Sequence, residues 1–126
     1  MGGFLKNEET LDDAAYRVLA RITGLRNIYL EQLSAFSRID RDPASRVISM
    51  GYYALINISD YDVLLLKQYG AEWFSIDELP ELVFDHSEIV DKSLRRLMRK
   101  AKIQPIGFEL LPENFTITQL RNLYEA

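Results

Sequence analysis

Residues 2–25, GGFLKNEETLDDAAYRVLARITGL, combine a glycine turn, an acidic turn, an arginine at position 17 and a closing Thr-Gly-Leu. Carboxylates beside an arginine on one helical face are what a divalent-metal site for phosphate cleavage requires. Mg²⁺ takes hard oxygen ligands, and they must sit one turn apart to share an ion. Positions 18 and 22 have that spacing but hold Val18 and Ile22, which offer no lone pair, and position 21 is Arg21, a cation. Glu9, even joined by Glu8, cannot rebuild such a cluster. The stretch has the surroundings of a phosphate-cleaving site without its ligands, so we expect no catalytic residue and no bound metal here.

A second polar constellation follows. Arg41, Asp42 and Arg46 fall in the run Ser37–Ser45 and just beyond it. Arginine forks suit a phosphate or a sugar hydroxyl, which makes these three the candidate effector-binding residues; a polar loop paired with itself is the equal alternative. His86 is the only histidine and there is no cysteine, so a transition-metal site is excluded, as are disulfides. His86, beside Asp85 at a helix start, reads as structural.

The elements that must position these groups are partly legible. Thr10 and Asp13 have the spacing of a capping box, with an apolar stripe behind them at Leu11, Ala14, Ala15, Val18, Leu19 and Ile22, and Gly24 as the stop. Strands are expected over Asn27–Phe36 and Arg46–Ile58, with Val63–Gln68 either a third strand or a helical turn. A proline-stopped turn is expected at Ile76–Pro80. A second helix should start at Asp85, capped with the help of Glu88, and bury Ile89, Val90, Leu94, Leu97, Met98 and Ala101. Thr116 should cap a last helix through Ile117, Leu120, Leu123 and Tyr124. Tyr52, Tyr53, Trp73 and Phe74 are expected in the core. Arg17 is expected to pair with Asp13 one turn earlier.

The chain has 126 residues, a net charge of −4 and 48% hydrophobic residues, which is the profile of a single globular domain, or of one domain plus a fragment of another. Charge is uneven. Residues 1–84 hold 8 Lys/Arg against 13 Asp/Glu, and residues 85–104 hold 6 against 3, so a basic helix stands on an acidic protein. A solvated helix face is the first reading of that stretch; contact with a phosphate backbone is the other. The longest apolar run, Val63–Leu66, is too short to span a bilayer, and no secretory signal is visible, so no membrane association and a cytoplasmic location are expected.

The opening stretch resembles the Nudix box, the signature of Nudix hydrolases: Gly3, Glu9, Arg17, Leu19, Gly24 and Leu25 match in register, while Val18, Arg21 and Ile22 replace its three later glutamates. FSRIDRDPASRVISMGYYALI (36–56) and WFSIDELPELVFDHSEIVDKSLRRL (73–97) are similar to the Nudix-related transcriptional regulators of bacteria. PIGFELLPENFTITQLRNLYEA (105–126) resembles their linker and the first helix of a winged helix-turn-helix. The resemblance implies an α+β protein: a Nudix-like α/β/α sandwich with an incomplete mixed sheet over residues 1–103, then the start of a winged helix over 104–126, cut at both ends. It also implies a non-catalytic sensor that binds ADP-ribose or a pentose sugar, acts as a homodimer, and reaches DNA through C-terminal elements beyond this sequence. No cofactor is implied, except Mg²⁺ under the alternative of an ADP-ribose pyrophosphatase.

Overall fold

A computed structural model describes residues 2–57, 68–103, 107, 110–111 and 114–125. Helix α1 is Leu11–Thr23. The capping box forms as its residues dictate: the Asp13 amide donates to Thr10 Oγ1 at 3.2 Å, and the Thr10 amide donates to Asp13 Oδ2 at 3.0 Å. Gly24 ends the helix at φ 74°, its N–H returning to Ala20 O. Only glycine fits there, since a Cβ would also stand 2.6 Å from the Tyr69 ring.

Strands β1 (Glu31–Phe36) and β2 (Ser49–Tyr53) form an antiparallel pair. Both are shorter than expected. Asn27 sits at φ 57°, which interrupts extended backbone before β1. Before β2, Arg46 turns back onto the carbonyls of Ser37 and Arg38 and keeps its own segment in the loop. The ladder slips between Gln32 and Ser34, so Leu33 is an extra residue on β1. That bulge changes which face the following residues occupy, and it buries both Leu33 and Phe36, at 4% and 5% exposure, despite their odd spacing. Gly51 lies across from them, and a Cβ there would stand 2.9 Å from Phe36 Cε2.

The sheet among the described residues is therefore two-stranded and antiparallel; the mixed sheet and layered sandwich are not seen among them. Residues 63–67 of the expected third strand lie outside the described residues, and Gln68 is helical. A 3-10 turn occupies Ile76–Glu78, as the proline-stopped pattern predicts. Trp73 and Phe74 are 40% and 50% exposed, so they are not core residues, and Tyr52 and Tyr53 are half-buried.

Helix α2 is His86–Ile103 and packs on β1. Arg96 Nη2 donates to Leu33 O at 3.3 Å, Lys100 pairs with Glu31 at the strand's start, and Lys92 Nζ sits 5.0 Å from the centre of the Phe36 ring. Its apolar stripe is half-buried at Ile89, Val90, Leu94 and Leu97, whereas Met98 and Ala101 are exposed. Helix α3, Ile117–Glu125, starts from a box at Thr116: the Gln119 amide donates to Thr116 Oγ1 at 3.2 Å and the Thr116 amide to Gln119 Oε1 at 2.8 Å. Leu123 turns inward toward Gly107. Among the described residues no helix is long and apolar enough to cross a membrane.

Candidate functional site

The glycine turn and α1 converge on Arg17. Its Nε donates to Glu9 Oε2 at 2.8 Å, and its Nη2 donates to Phe4 O at 2.9 Å and to the other Glu9 oxygen. The Lys6 amide adds a third donor to that carboxylate at 2.7 Å. Arg17 therefore does not pair with Asp13, whose carboxylate is already committed to the Thr10 cap. Hydrogen bonding from Arg17, helped by the Lys6 amide against partial desolvation, lowers the Glu9 pKa from 4.5 to about 2.

A pH dependence follows from that shift. The stability Glu9 contributes is complete above about pH 4.5 and is lost as pH falls through about 2, because below that the folded carboxylate must also take a proton. Thermal melts of the wild type and Glu9→Gln across this acid range should converge toward its lower end. Parallel curves with a constant gap would refute a stabilising role for the ionised carboxylate.

The three glutamate positions of the box have other occupants here. Val18 packs on Gly3 so closely that a Cβ on Gly3 would stand 2.7 Å from Val18 Cγ2. Arg21 Nη2 donates to Gly2 O at 3.3 Å, and Ile22 is half-buried. Among the described residues no three His, Cys, Asp or Glu side chains are grouped to hold a metal ion. An aliphatic pair and a guanidinium do not fit Mg²⁺, and no step of a metal-dependent hydrolysis can be assigned to them.

The structure separates the three loop candidates. Arg41 is buried: its Nε and Nη2 donate to the two oxygens of Asp85 at 2.7 and 2.8 Å, and its Nη1 to Ser49 Oγ. The side chains are 6% and 3% exposed. Arg41 holds the Asp85 carboxyl below the usual aspartate range against the effect of burial. Asp85 does stand at the start of α2, its carbonyl accepting the Ile89 amide at 3.3 Å, but its carboxylate is spent on Arg41 rather than on a box with Glu88, which approaches Arg38 at 3.9 Å. Arg46 is exposed and braces the loop, Nη1 donating to Ser37 O at 2.7 Å and Arg38 O at 3.1 Å. Asp42 Oδ1 accepts from the Ala44 amide at 2.8 Å. His86 stacks edge-on against Phe84, with ring centres 6.1 Å apart.

Sequence reasoning missed the Arg41–Asp85 contact, because its partners are 44 residues apart and Asp85 read as a cap. It also missed a tie from sheet to helix: Tyr52 and Gln32 both donate to Asp12 Oδ1, at 2.6 and 2.9 Å. Burial and the Asp12 carboxylate push the Tyr52 hydroxyl up to about 12. An open cleft of about 540 Å³ runs beside α1 between Tyr16, Leu19, Ala20, Arg26, Ile28 and Tyr29. No spacing rule marked it.

Comparison with known proteins gives the same picture from another side. Residues 107–126 match the family model of the NrtR DNA-binding winged helix domain. The ADPR responsive transcriptional repressor NtrR of Acinetobacter baylyi is 32% identical over 98% of this chain and 51% of its own length. The ADP-ribose pyrophosphatase of Methanocaldococcus jannaschii is 32% identical over 75% of this chain and 55% of its own. The crystal structure of Shewanella oneidensis NrtR complexed with a 27mer DNA superimposes with a TM-score of 0.80 at 25% identity, covering 98% of this chain and 58% of that one. The chain thus spans about half the length of the curated relatives it matches.

The box frame on α1 and these likenesses define a Nudix-related α+β protein. Within that class, the winged-helix match over residues 107–126 and the homology along nearly the whole chain make it similar to the Nudix-related transcriptional regulators of the NrtR type.

Proposed function

We propose that this chain is the sensing part of such a regulator: it binds a ligand of the ADP-ribose class without hydrolysing it and passes the bound state to a winged helix that begins in residues 107–126. The sensor occupies residues 1–103 and the linker and first winged-helix element 104–126. The observation that carries the reading is the box itself. Its frame persists in the Arg17–Glu9 pair and the Gly24 stop, while Val18 and Arg21 are turned onto the glycine turn where ligands to a metal would be needed. Homology to an ADPR-responsive repressor favours ADP-ribose over a pentose.

The loop after β1 supplies the contacts. Arg46 and Asp42 face the ligand, and Arg41, held by Asp85 and Ser49, is the anchor that fixes their backbone. Dimerisation completes the proposal, since two winged helices on a two-fold axis suit a palindromic operator. A second reading, hydrolysis of ADP-ribose, is favoured by the intact Glu9–Arg17 pair and the likeness to a pyrophosphatase.

One experiment separates them. The 126-residue chain is titrated with ADP-ribose and with arabinose, with Mg²⁺ or with a chelator, while melting temperature and AMP release are followed. The sensor reading expects stabilisation by ADP-ribose in both buffers, no AMP, and weaker stabilisation in Arg46→Ala. Metal-dependent AMP release that disappears in Glu9→Gln would overturn it in favour of the enzyme. A response to arabinose alone would replace the effector and keep the sensor.

A further inference from the structure

Helix α2 carries an unpartnered cationic stripe on the half nearest the winged-helix segment. Arg95, Arg99 and Lys102 are spaced four and three residues apart, so they share one face, and all three are exposed. Among the described residues none of them makes an ion pair or hydrogen bond. Their neighbours on the helix are occupied: Lys92 by the Phe36 ring, Arg96 by Leu33 O and Lys100 by Glu31. The same stripe is acidic earlier, at Glu88 and Asp91, so the sign of its charge reverses along the helix.

The helix dipole explains only part of this. Its attraction for cations fades within the last turn, which accounts for Lys100 and Lys102 but not for Arg95 and Arg99 further inside. Nor does the overall balance explain it, since the chain carries a net charge of −4. Position offers a reason. Lys102 lies five residues before Gly107, where the match to a DNA-binding winged helix begins, so the cationic end of α2 leads directly in sequence into that segment.

We propose that Arg95, Arg99 and Lys102 form an auxiliary contact to the phosphate backbone of double-stranded DNA, made by the Nudix-like part itself. Guanidinium forks and an ammonium on one helical face suit successive phosphates, and such contacts position a protein without reading sequence. The contact rests on residues 107–126 belonging to a DNA-binding domain, and it is independent of which effector is sensed.

Fluorescence anisotropy of the 126-residue chain with a labelled duplex of arbitrary sequence, in buffers of rising salt, tests it. Each phosphate neutralised contributes a log–log salt slope of about −0.9, so three contacts give about −2.7. Arg95→Gln/Arg99→Gln/Lys102→Gln should bind about tenfold or more weakly at low salt, with a slope approaching zero and an unchanged melting temperature. Lys6→Gln/Arg38→Gln, which removes cations elsewhere on the surface, should bind like the wild type. No binding by the wild type at low salt would overturn the proposal. So would an unchanged slope in the triple variant, or loss of binding in Arg121→Gln on α3 with the triple variant unaffected. Binding of single-stranded RNA but not of the duplex would also overturn it. None of these outcomes depends on ADP-ribose, so a failed ligand titration and a failed duplex titration point to different errors.

Discussion

Asp85→Ala is expected to destabilise the chain by about 3–5 kcal/mol, the cost of leaving one member of a buried ion pair without its partner. The Arg41 guanidinium gives two donors to Asp85 and one to Ser49, and the side chain is nearly sealed from water, so removing the carboxylate strands a charge that cannot re-solvate without opening the loop. Asp85→Asn keeps one acceptor and should lose less. Replacing both partners, as Arg41→Met with Asp85→Leu, should recover most of the loss, because an apolar pair of similar volume removes the desolvation cost along with the attraction. Urea denaturation of the four proteins measures this. A loss below about 1 kcal/mol for Asp85→Ala would mean that the pair is open to solvent and behaves as a surface ion pair.

The same pair has a functional reach. It ties the loop after β1, which carries Arg46 and Asp42, to the residue that immediately precedes α2. Arg46→Ala should weaken ADP-ribose binding with little effect on stability, whereas Arg41→Ala should lower both. Under the proposed function, that outcome would separate ligand binding from folding within six residues of loop and assign the anchor and the contact to different arginines.

What was legible in the sequence was local. The Thr10–Asp13 box, the Gly24 stop, the Thr116 cap and the turn at Ile76–Glu78 involve residues three or four apart, and backbone preference decides them. The degenerate box was legible for the same reason, as fixed spacings along one helix. What was hidden depended on contacts across the chain. Arg17 had two carboxylates within reach, and the choice of Glu9 turned on Asp13 being spent on its own cap. Asp85 was legible as the residue that opens α2, but nothing in its neighbourhood marks its carboxylate's partner 44 residues earlier. The bulge was hidden too, because no spacing along β1 marks the one extra residue, Leu33, that shifts everything after it to the opposite side.

That bulge leads to the second large effect. Phe36→Ala should cost about 3–5 kcal/mol, as expected for emptying a buried aromatic site that cannot fully collapse. Leu33 and Phe36 are both buried under β2 because of the bulge, and Lys92 of α2 covers the ring, so the loss reaches sheet and helix together. Gly51 makes the test specific. In the wild type, Gly51→Ala sets a methyl 2.9 Å from Phe36 Cε2 and 3.5 Å from Leu33 Cδ2, and displacing a packed ring costs roughly 1–3 kcal/mol. In the Phe36→Ala background the same methyl enters the vacated space, so its cost should vanish or reverse. The double-mutant cycle should therefore return a coupling of roughly 0.5–3 kcal/mol, with the double variant more stable than the sum of the singles implies. Additive effects would mean that β2 slides away from Phe36 when either residue changes, and that the register set by the bulge does not hold Gly51 against the ring.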